Sequence, residues 1–171
     1  MNTRGVLAGS FDPITRGHEW LVKEAARLVD ELDVVIAANP TKKYTFDDAT
    51  RERLVRAALD DLELPRTKLR LHFLPHKKAL VKFADSLGAT HLIRGIRNLQ
   101  DFSYETNLAL INKELRPEVR TVFLVTPPEL TQVSSSTVKS LVGLEDWEAD
   151  VQKWVHPAVL EAFRQLEANK Q

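Results

Sequence analysis

His18, the adjacent Lys42 and Lys43, Arg94, Arg97 and the run Ser134-Ser135-Ser136 are the side chains best suited to handling an anion. They supply cations and hydrogen-bond donors, and no nucleophile–base pair is evident. The densest group is Gly9-Ser10-Phe11-Asp12-Pro13 followed by Thr15-Arg16-Gly17-His18. The apolar run Val6-Leu7-Ala8 precedes it, and an amphipathic stretch follows. A strand–loop–helix junction gathers backbone N–H groups and the positive end of a helix, which suits a phosphate. His18, in the first helical turn, can point at the same place. The stretch is neither a P-loop nor a Gly-x-Gly-x-x-Gly fingerprint. A plain connection between two elements is the alternative; the concentration of polar and small residues favours the phosphate site.

The remaining groups leave two readings each. In Asn39-Pro40-Thr41-Lys42-Lys43, one lysine could reach a phosphate, or both are simply solvated. Arg94 and Arg97, three apart across Gly95, can hold phosphate oxygens bidentately; pairing with Asp101 or Glu105 fits equally well. Val133-Ser134-Ser135-Ser136-Thr137 reads as a helix N-cap cluster whose donors also suit phosphate. His72, His76, His91 and His156 read as structural or exposed. Trp20, Trp147 and Trp154 read as packing residues.

Five apolar runs must position these groups: Val6 to Ala8, Asp33 to Ala38, Leu69 to Leu74, His91 to Ile93 and Thr121 to Val125. Helical periodicity spans Glu19 to Leu32, with apolar Leu21, Ala25, Leu28, Val29 and Leu32. It recurs over Asp47 to Leu62, Lys77 to Leu87, closed by Gly88, and Asn98 to Leu115, with Phe102, Leu108, Ile111 and Leu115 near one face. Short helices are predicted over Ser136 to Val142 and Asp146 to Lys153, and a last one from Pro157 to Glu167. Alternating strands and helices predict an α/β fold: a Rossmann-like, doubly wound, parallel five-stranded sheet, helices on both faces and a helical C-terminal end. Ligands of such sheets bind beyond the carboxyl ends of the strands, where the polar groups fall. Residues 1–171 are expected to form one domain.

The chain has 171 residues, with 24 basic and 24 acidic side chains. Such a balance does not argue for nucleic acid or an anionic membrane as a partner. There is no cysteine, which excludes disulfides and thiol catalysis. No apolar run approaches the roughly 20 residues of a membrane span, and residues 1–4 show no signal-peptide core. A cytoplasmic location is the expectation.

Gly-Ser-Phe-Asp-Pro followed by Thr-x-Gly-His resembles the first motif of the nucleotidyltransferase superfamily with the Thr/His-x-Gly-His motif. Ile93-Arg94-Gly95-Ile96-Arg97 with Asp101-Phe102-Ser103-Tyr104-Glu105 is similar to the pattern of its bacterial phosphopantetheine adenylyltransferase family, as is the serine triplet with Val133 in place of Ile. The resemblance implies transfer of the adenylyl group of ATP to 4′-phosphopantetheine, giving dephospho-coenzyme A and pyrophosphate. It implies that His18, Lys42 and Arg97 stabilise the transition state. Ser10 and Phe11 would position acceptor and ATP, and Arg94, Lys42 and Leu80 would contact the acceptor. Gly95, Ile96, Arg97 and Glu105 would contact ATP. So would Leu130, Thr131, Gln132 and Val133, and Ser134, Ser135 and Ser136 would hold its phosphates. It also implies Mg²⁺ on the triphosphate with no dedicated protein metal site, and a homohexamer; coenzyme A, which shares the pantetheine portion of the acceptor, is expected to occupy the acceptor site and inhibit. This chain differs from the family at Leu130, where an aromatic residue is usual, and in its lysine-rich loop Lys77 to Lys82. Two alternatives remain: a relative using another phosphate acceptor such as nicotinamide mononucleotide, and a non-catalytic nucleotide-binding protein.

Overall fold

The computed structural model describes residues 2–38, 42–64 and 67–169. Apolar strands alternate with helices, and the strands assemble as that pattern demands. β1 (Arg4–Gly9), β2 (Glu31–Ile36), β3 (Lys68–Phe73), β4 (His91–Ile96) and β5 (Arg120–Val125) form one five-stranded sheet in the order β3-β2-β1-β4-β5. Every neighbouring pair is parallel. The helices are α1 (Arg16–Leu28), α2 (Asp48–Asp60), α3 (Leu80–Ser86), α4 (Leu99–Leu115), α5 (Ser135–Leu141), α6 (Trp147–Val151) and α7 (Pro157–Ala168). The chain divides into two compact units, one drawn from Met1–Ser10, Leu21–Lys42 and Glu63–Pro127, the other from Phe11–Trp20, Lys43–Leu62 and Pro128–Gln171.

The first unit holds the whole sheet. Alternate residues of a strand point to opposite faces. On one face Val6, Val35 and Leu92 form a core with Val81, Phe83 and Ala84 of α3. On the other, Gly5 lies against Val29 and Ile93, and Gly95 lies under Leu21 of α1. A Cβ at Gly95 would sit 3.0 Å from the Leu21 side chain, so the absence of a side chain lets the helix approach the sheet there. Helices therefore flank both faces. The order reverses at β1, which lies between β2 and β4; their carboxyl ends define the switch point at which such sheets bind ligands.

One charge is buried in this sheet. Asp33 has no exposed surface and accepts hydrogen bonds from Arg4 Nη2 at 2.9 Å, from Arg4 Nε and from His72 Nε2 at 2.7 Å. Burial pushes its carboxyl up, but the bonds from Arg4 and His72 outweigh that and hold it below the ordinary aspartate value.

In the second unit α2 packs on α7, and the rings of Phe46 and Phe163 meet at 5.0 Å. Asp47 caps α2 through Thr50 N–H. His156 caps α7, accepting from Ala158 N–H at 3.2 Å, while its Nε2 meets Asp61 at 2.9 Å. His156 and His72 are thus structural, as expected.

Several boundaries differ from the sequence expectation. Helix α1 ends at Leu28, and Leu32 belongs to β2. The Asp30 carboxylate takes the Thr3 N–H and hydroxyl and ties this turn to the chain ahead of β1. Buried Val22, Ala25 and Ala26 form the inner face of α1, Val29 just beyond it is also buried, and Leu28 is exposed. Helix α3 starts only at Leu80, because Lys77 has a left-handed φ of 60°. Strand β4 runs on to Ile96, so Arg94 and Gly95 lie within the strand rather than after it. A 3-10 turn, Pro128–Leu130, follows β5 unforeseen. On α4 the expected apolar face is not covered: Phe102 and Ile111 are about half exposed, and the buried residue is Glu105. No described helix is long and apolar enough to cross a membrane.

Asp33→Ala should destabilise the protein by about 3 kcal/mol in urea titrations, because Arg4 loses its buried partner. The depressed carboxyl contributes stability that is fully present above about pH 4 and is lost as the pH falls through its lower folded value. Stability of Asp33→Asn should therefore fall less steeply than wild type on further acidification, checked by denaturation across that range.

Candidate active site

Phe11 to Thr15, between β1 and α1, is a run of five buried residues. Buried backbone and side-chain polar groups need partners, and this loop finds them within the second unit. The Asp12 carboxylate accepts from Thr45 N–H and Phe46 N–H and from Lys139 Nζ, at 2.9–3.1 Å. Burial pushes the Asp12 carboxyl up; the Lys139 and backbone bonds together bring it below its ordinary value. The Pro13 carbonyl accepts from the Ser135 hydroxyl at 2.8 Å. Gly17 passes so close to Val133 that a Cβ would lie 3.0 Å from its carbonyl oxygen.

The loop also sets the protonation of His18. Thr15 N–H donates to His18 Nδ1 at 3.1 Å, and the Thr15 hydroxyl lies 2.9 Å from the same nitrogen. A backbone amide can only donate, so Nδ1 is an acceptor and the neutral ring carries its proton on Nε2. The ring also meets Phe11 edge-on at 5.1 Å between centroids. Phe11 has a left-handed φ of 46° and no exposed surface, a strained backbone of the kind held where surroundings over-determine it.

In the first unit, β4 and the start of α4 set two arginines. Arg94 grips both oxygens of Glu105 through Nε and Nη2, and its Nη1 donates to the Ala8 carbonyl at 2.8 Å. The β1–β4 ladder is paired as far as Leu7–Ile93, and the guanidinium takes the next carbonyl. These bonds use three of the five N–H groups an arginine has. Arg97 meets both oxygens of Asp101 at 2.8 and 3.2 Å and holds that carboxyl below its ordinary value. Asn98 caps the helix by accepting from Asp101 N–H.

The two pairs differ in kind. Arg97 and Asp101 are an i,i+4 surface pair, worth about 0.3–0.5 kcal/mol, so the pair can be broken at little cost. Glu105 is 8 % exposed, and breaking a buried pair costs about 3–5 kcal/mol. Arg94 is thus a fixed fork that can still offer two N–H groups.

Of the other expected residues, Ser10 is half-buried just beyond β1 and Lys42 is exposed beyond β2. Asn39, Pro40 and Thr41 lie outside the described residues. Leu80 opens α3, and Ile96 is the buried last residue of β4. In the lysine-rich loop, Lys78 turns back on its own segment, donating to Ser86 Oγ at 3.1 Å and lying over the Phe83 ring. Leu130 ends the 3-10 turn, Thr131 and Gln132 follow it, and the buried Val133 donates its N–H to the Leu130 carbonyl. Ser134 caps α5 by accepting from Thr137 N–H at 3.0 Å, whereas Ser136 is exposed. The structure therefore joins His18 with Phe11, Arg94 with Glu105, and Ser135 with the loop at Pro13. Asp12, Thr15 and Lys139 carry no role in the sequence reading. The i,i+3 spacing of Thr15 and His18 was the available signal for Thr15; nothing local marks Lys139 as the partner of Asp12. Among the described residues no group of three or more acidic or histidine side chains could hold a metal ion.

Residues 6–141 match the family described as cytidylyltransferase-like. The chain is 40 % identical to the phosphopantetheine adenylyltransferase of Chromobacterium violaceum, over 89 % of this chain and 90 % of that protein. It is 39 % identical to the enzyme of the same name from Thermotoga neapolitana, over 92 % of each. Among solved structures it is similar to a Plasmodium falciparum nicotinic acid mononucleotide adenylyltransferase complexed with NaAD, with a TM-score of 0.73, 18 % identity, and 97 % and 96 % of the two chains covered. That likeness is one of fold.

In the nitrogen NMR spectrum at pH 8, His18 Nδ1 should appear unprotonated and Nε2 protonated. Glu105→Ala should cost about 3 kcal/mol in urea denaturation, and Asp101→Ala about 0.5 kcal/mol from the loss of its pair with Arg97.

Proposed function

The chain belongs to the phosphopantetheine adenylyltransferases, within the cytidylyltransferase-like family, and on that premise we propose how its residues carry the reaction. It is a nucleotidyltransferase that joins the adenylyl group of ATP to 4′-phosphopantetheine, giving dephospho-coenzyme A and pyrophosphate, a step in making coenzyme A. An oxygen of the acceptor's phosphate attacks the α-phosphorus of ATP in line, and the bond to the bridging oxygen of pyrophosphate breaks. A phosphate monoester has its second pKa near about 6, so the attacking oxygen is ionised at neutral pH and no general base is needed. The protein positions two anions and stabilises the charge that develops between them.

The observation that carries this assignment is the state of His18. Its Nδ1 accepts from Thr15 N–H, so the proton of the neutral ring sits on Nε2, the nitrogen that donates to an oxygen of the transferred phosphate. Lys42, exposed beyond β2, and Arg97, held by a weak pair, neutralise the α- and β-phosphates. The two remaining N–H groups of Arg94 orient the acceptor, with Lys42, Leu80 and Ser10. Ser10, Phe11, Gly95, Ile96, Glu105 and Leu130 to Val133 contact ATP, and Ser134 to Ser136 hold its outer phosphates. Mg²⁺ would enter with ATP as the magnesium–nucleotide substrate and would offset the charge of the triphosphate.

The match from 6 to 141 draws on both compact units and supports reading residues 1–171 as one nucleotidyltransferase domain. The chain works in the cytoplasm as an oligomer of identical copies, a hexamer by family. The exposed apolar side chains Leu99, Phe102, Leu110 and Ile111 of α4 support self-association, since exposed apolar surface favours a partner. Coenzyme A, which shares the pantetheine portion, competes with the acceptor.

Mg-ATP and 4′-phosphopantetheine should give pyrophosphate in a coupled assay, chelation of Mg²⁺ should abolish it, and His18→Ala should lower kcat about 10²- to 10³-fold, the loss expected for one transition-state donor. Release with nicotinamide mononucleotide but not with 4′-phosphopantetheine would overturn the acceptor; tight nucleotide binding with no release for any acceptor would leave a non-catalytic binder.

A further inference from the structure

Lys139 lies on α5, outside every motif considered above, with its amine 2.9 Å from the buried Asp12 carboxylate. Asp12 is 2 % exposed. One turn earlier on the same helix, Ser135 donates to the carbonyl of Pro13, the residue after Asp12. Positions four apart share a helix face, so α5 grips two successive loop residues from one side. Two adjacent attachments restrict rotation as well as translation of that segment. Asp12 extends the grip to the chain before α2 through Thr45 N–H and Phe46 N–H. The residue before it, Phe11, sets its ring edge against His18.

We propose that Lys139 is a positioning residue for the His18 imidazole, acting through Asp12 and Phe11 and setting the register between His18 and the serine triplet at the start of α5. It touches no reacting atom. Its amine hydrogen bond acts with those of Thr45 N–H and Phe46 N–H to hold the buried Asp12 carboxyl below its ordinary value. Without the amine the loop keeps its Ser135 bond but loses the second attachment, and the His18 ring is free to shift. Displacement of a catalytic group by about 1 Å costs roughly 10²-fold in rate. The proposal rests on the phosphoryl-transfer role given to His18 above.

The test is Lys139→Met, which removes the charge and keeps the length, alongside Lys139→Arg, which keeps the charge. For Lys139→Met, kcat for pyrophosphate release should fall about 10- to 100-fold, with KM for ATP and for 4′-phosphopantetheine within about twofold of wild type. The His18 ring nitrogen shifts should move in the ligand-free protein. Lys139→Arg should recover most of kcat and the wild-type shifts. If Lys139→Met does not fold, Asp12→Asn is read by the same two measurements, with the same losses expected. Unchanged kcat and unchanged His18 shifts in a folded Lys139→Met overturn the proposal. So does a rise in KM for ATP with kcat kept, which would make Lys139 a direct nucleotide contact. Failure of the functional reading is distinct: the wild type itself would then release no pyrophosphate, while the His18 shifts would still report whether Lys139 positions the ring.

Discussion

A loop buried along five residues cannot leave its polar groups to water. That constraint governs Phe11 to Thr15 and, through it, the candidate site. A buried donor or acceptor left unsatisfied costs about 1–3 kcal/mol. The loop meets this demand by taking Thr45 N–H, Phe46 N–H and Lys139 on Asp12, the Ser135 hydroxyl on Pro13, and His18 Nδ1 on the Thr15 amide. The last of these bonds is also the one that sets the histidine tautomer. The bonds that let the loop be buried are therefore the bonds that prepare its chemistry.

The first unit uses the same economy with charge. Both arginines near the end of β4 arrive already paired, but with partners of different worth. Arg97 rests on Asp101 at the surface, where the bond is weak and exchangeable. Arg94 is locked to the buried Glu105 and to the Ala8 carbonyl. A weakly held cation can follow a phosphate as charge develops; a locked one supplies fixed geometry. Both functions are useful for bringing two anions together, and exposure rather than residue type separates them.

Periodicity made the order of elements legible, and turn chemistry located most loops. The runs near Val6, Asp33, Leu69, His91 and Thr121 all became strands of the parallel sheet. Boundaries were less legible. Leu32 continues the apolar spacing of α1, yet Asp30 ties its turn to Thr3 and sends Leu32 into β2. Arg94 and Gly95 look like a loop because neither residue favours a strand; pairing with Arg94↔Phe123 and Gly95↔Leu124 of β5 carries the strand through them. The spacing of Phe102, Leu108, Ile111 and Leu115 does not show whether anything within the same chain covers them, and α4 leaves Phe102 and Ile111 exposed.

The sequence by itself determined the parallel α/β architecture and the placing of polar motifs near strand ends, and it marked His18, Lys42, Arg94, Arg97 and the serines as candidates for handling an anion. Each of these follows from residue type and short-range spacing, which local physics can read. The long-range attachments around those groups were decided only by the tertiary structure. Lys139 reaches Asp12 across 127 positions of sequence, and Arg94 reaches the Ala8 carbonyl across 86. A hydrogen bond between residues so far apart forms only where packing brings them within about 3 Å, and no local pattern encodes that approach. That Arg94 is held as a fixed fork is in part a consequence of such a distant contact, whereas the proton position on His18 follows from Thr15, only three residues away.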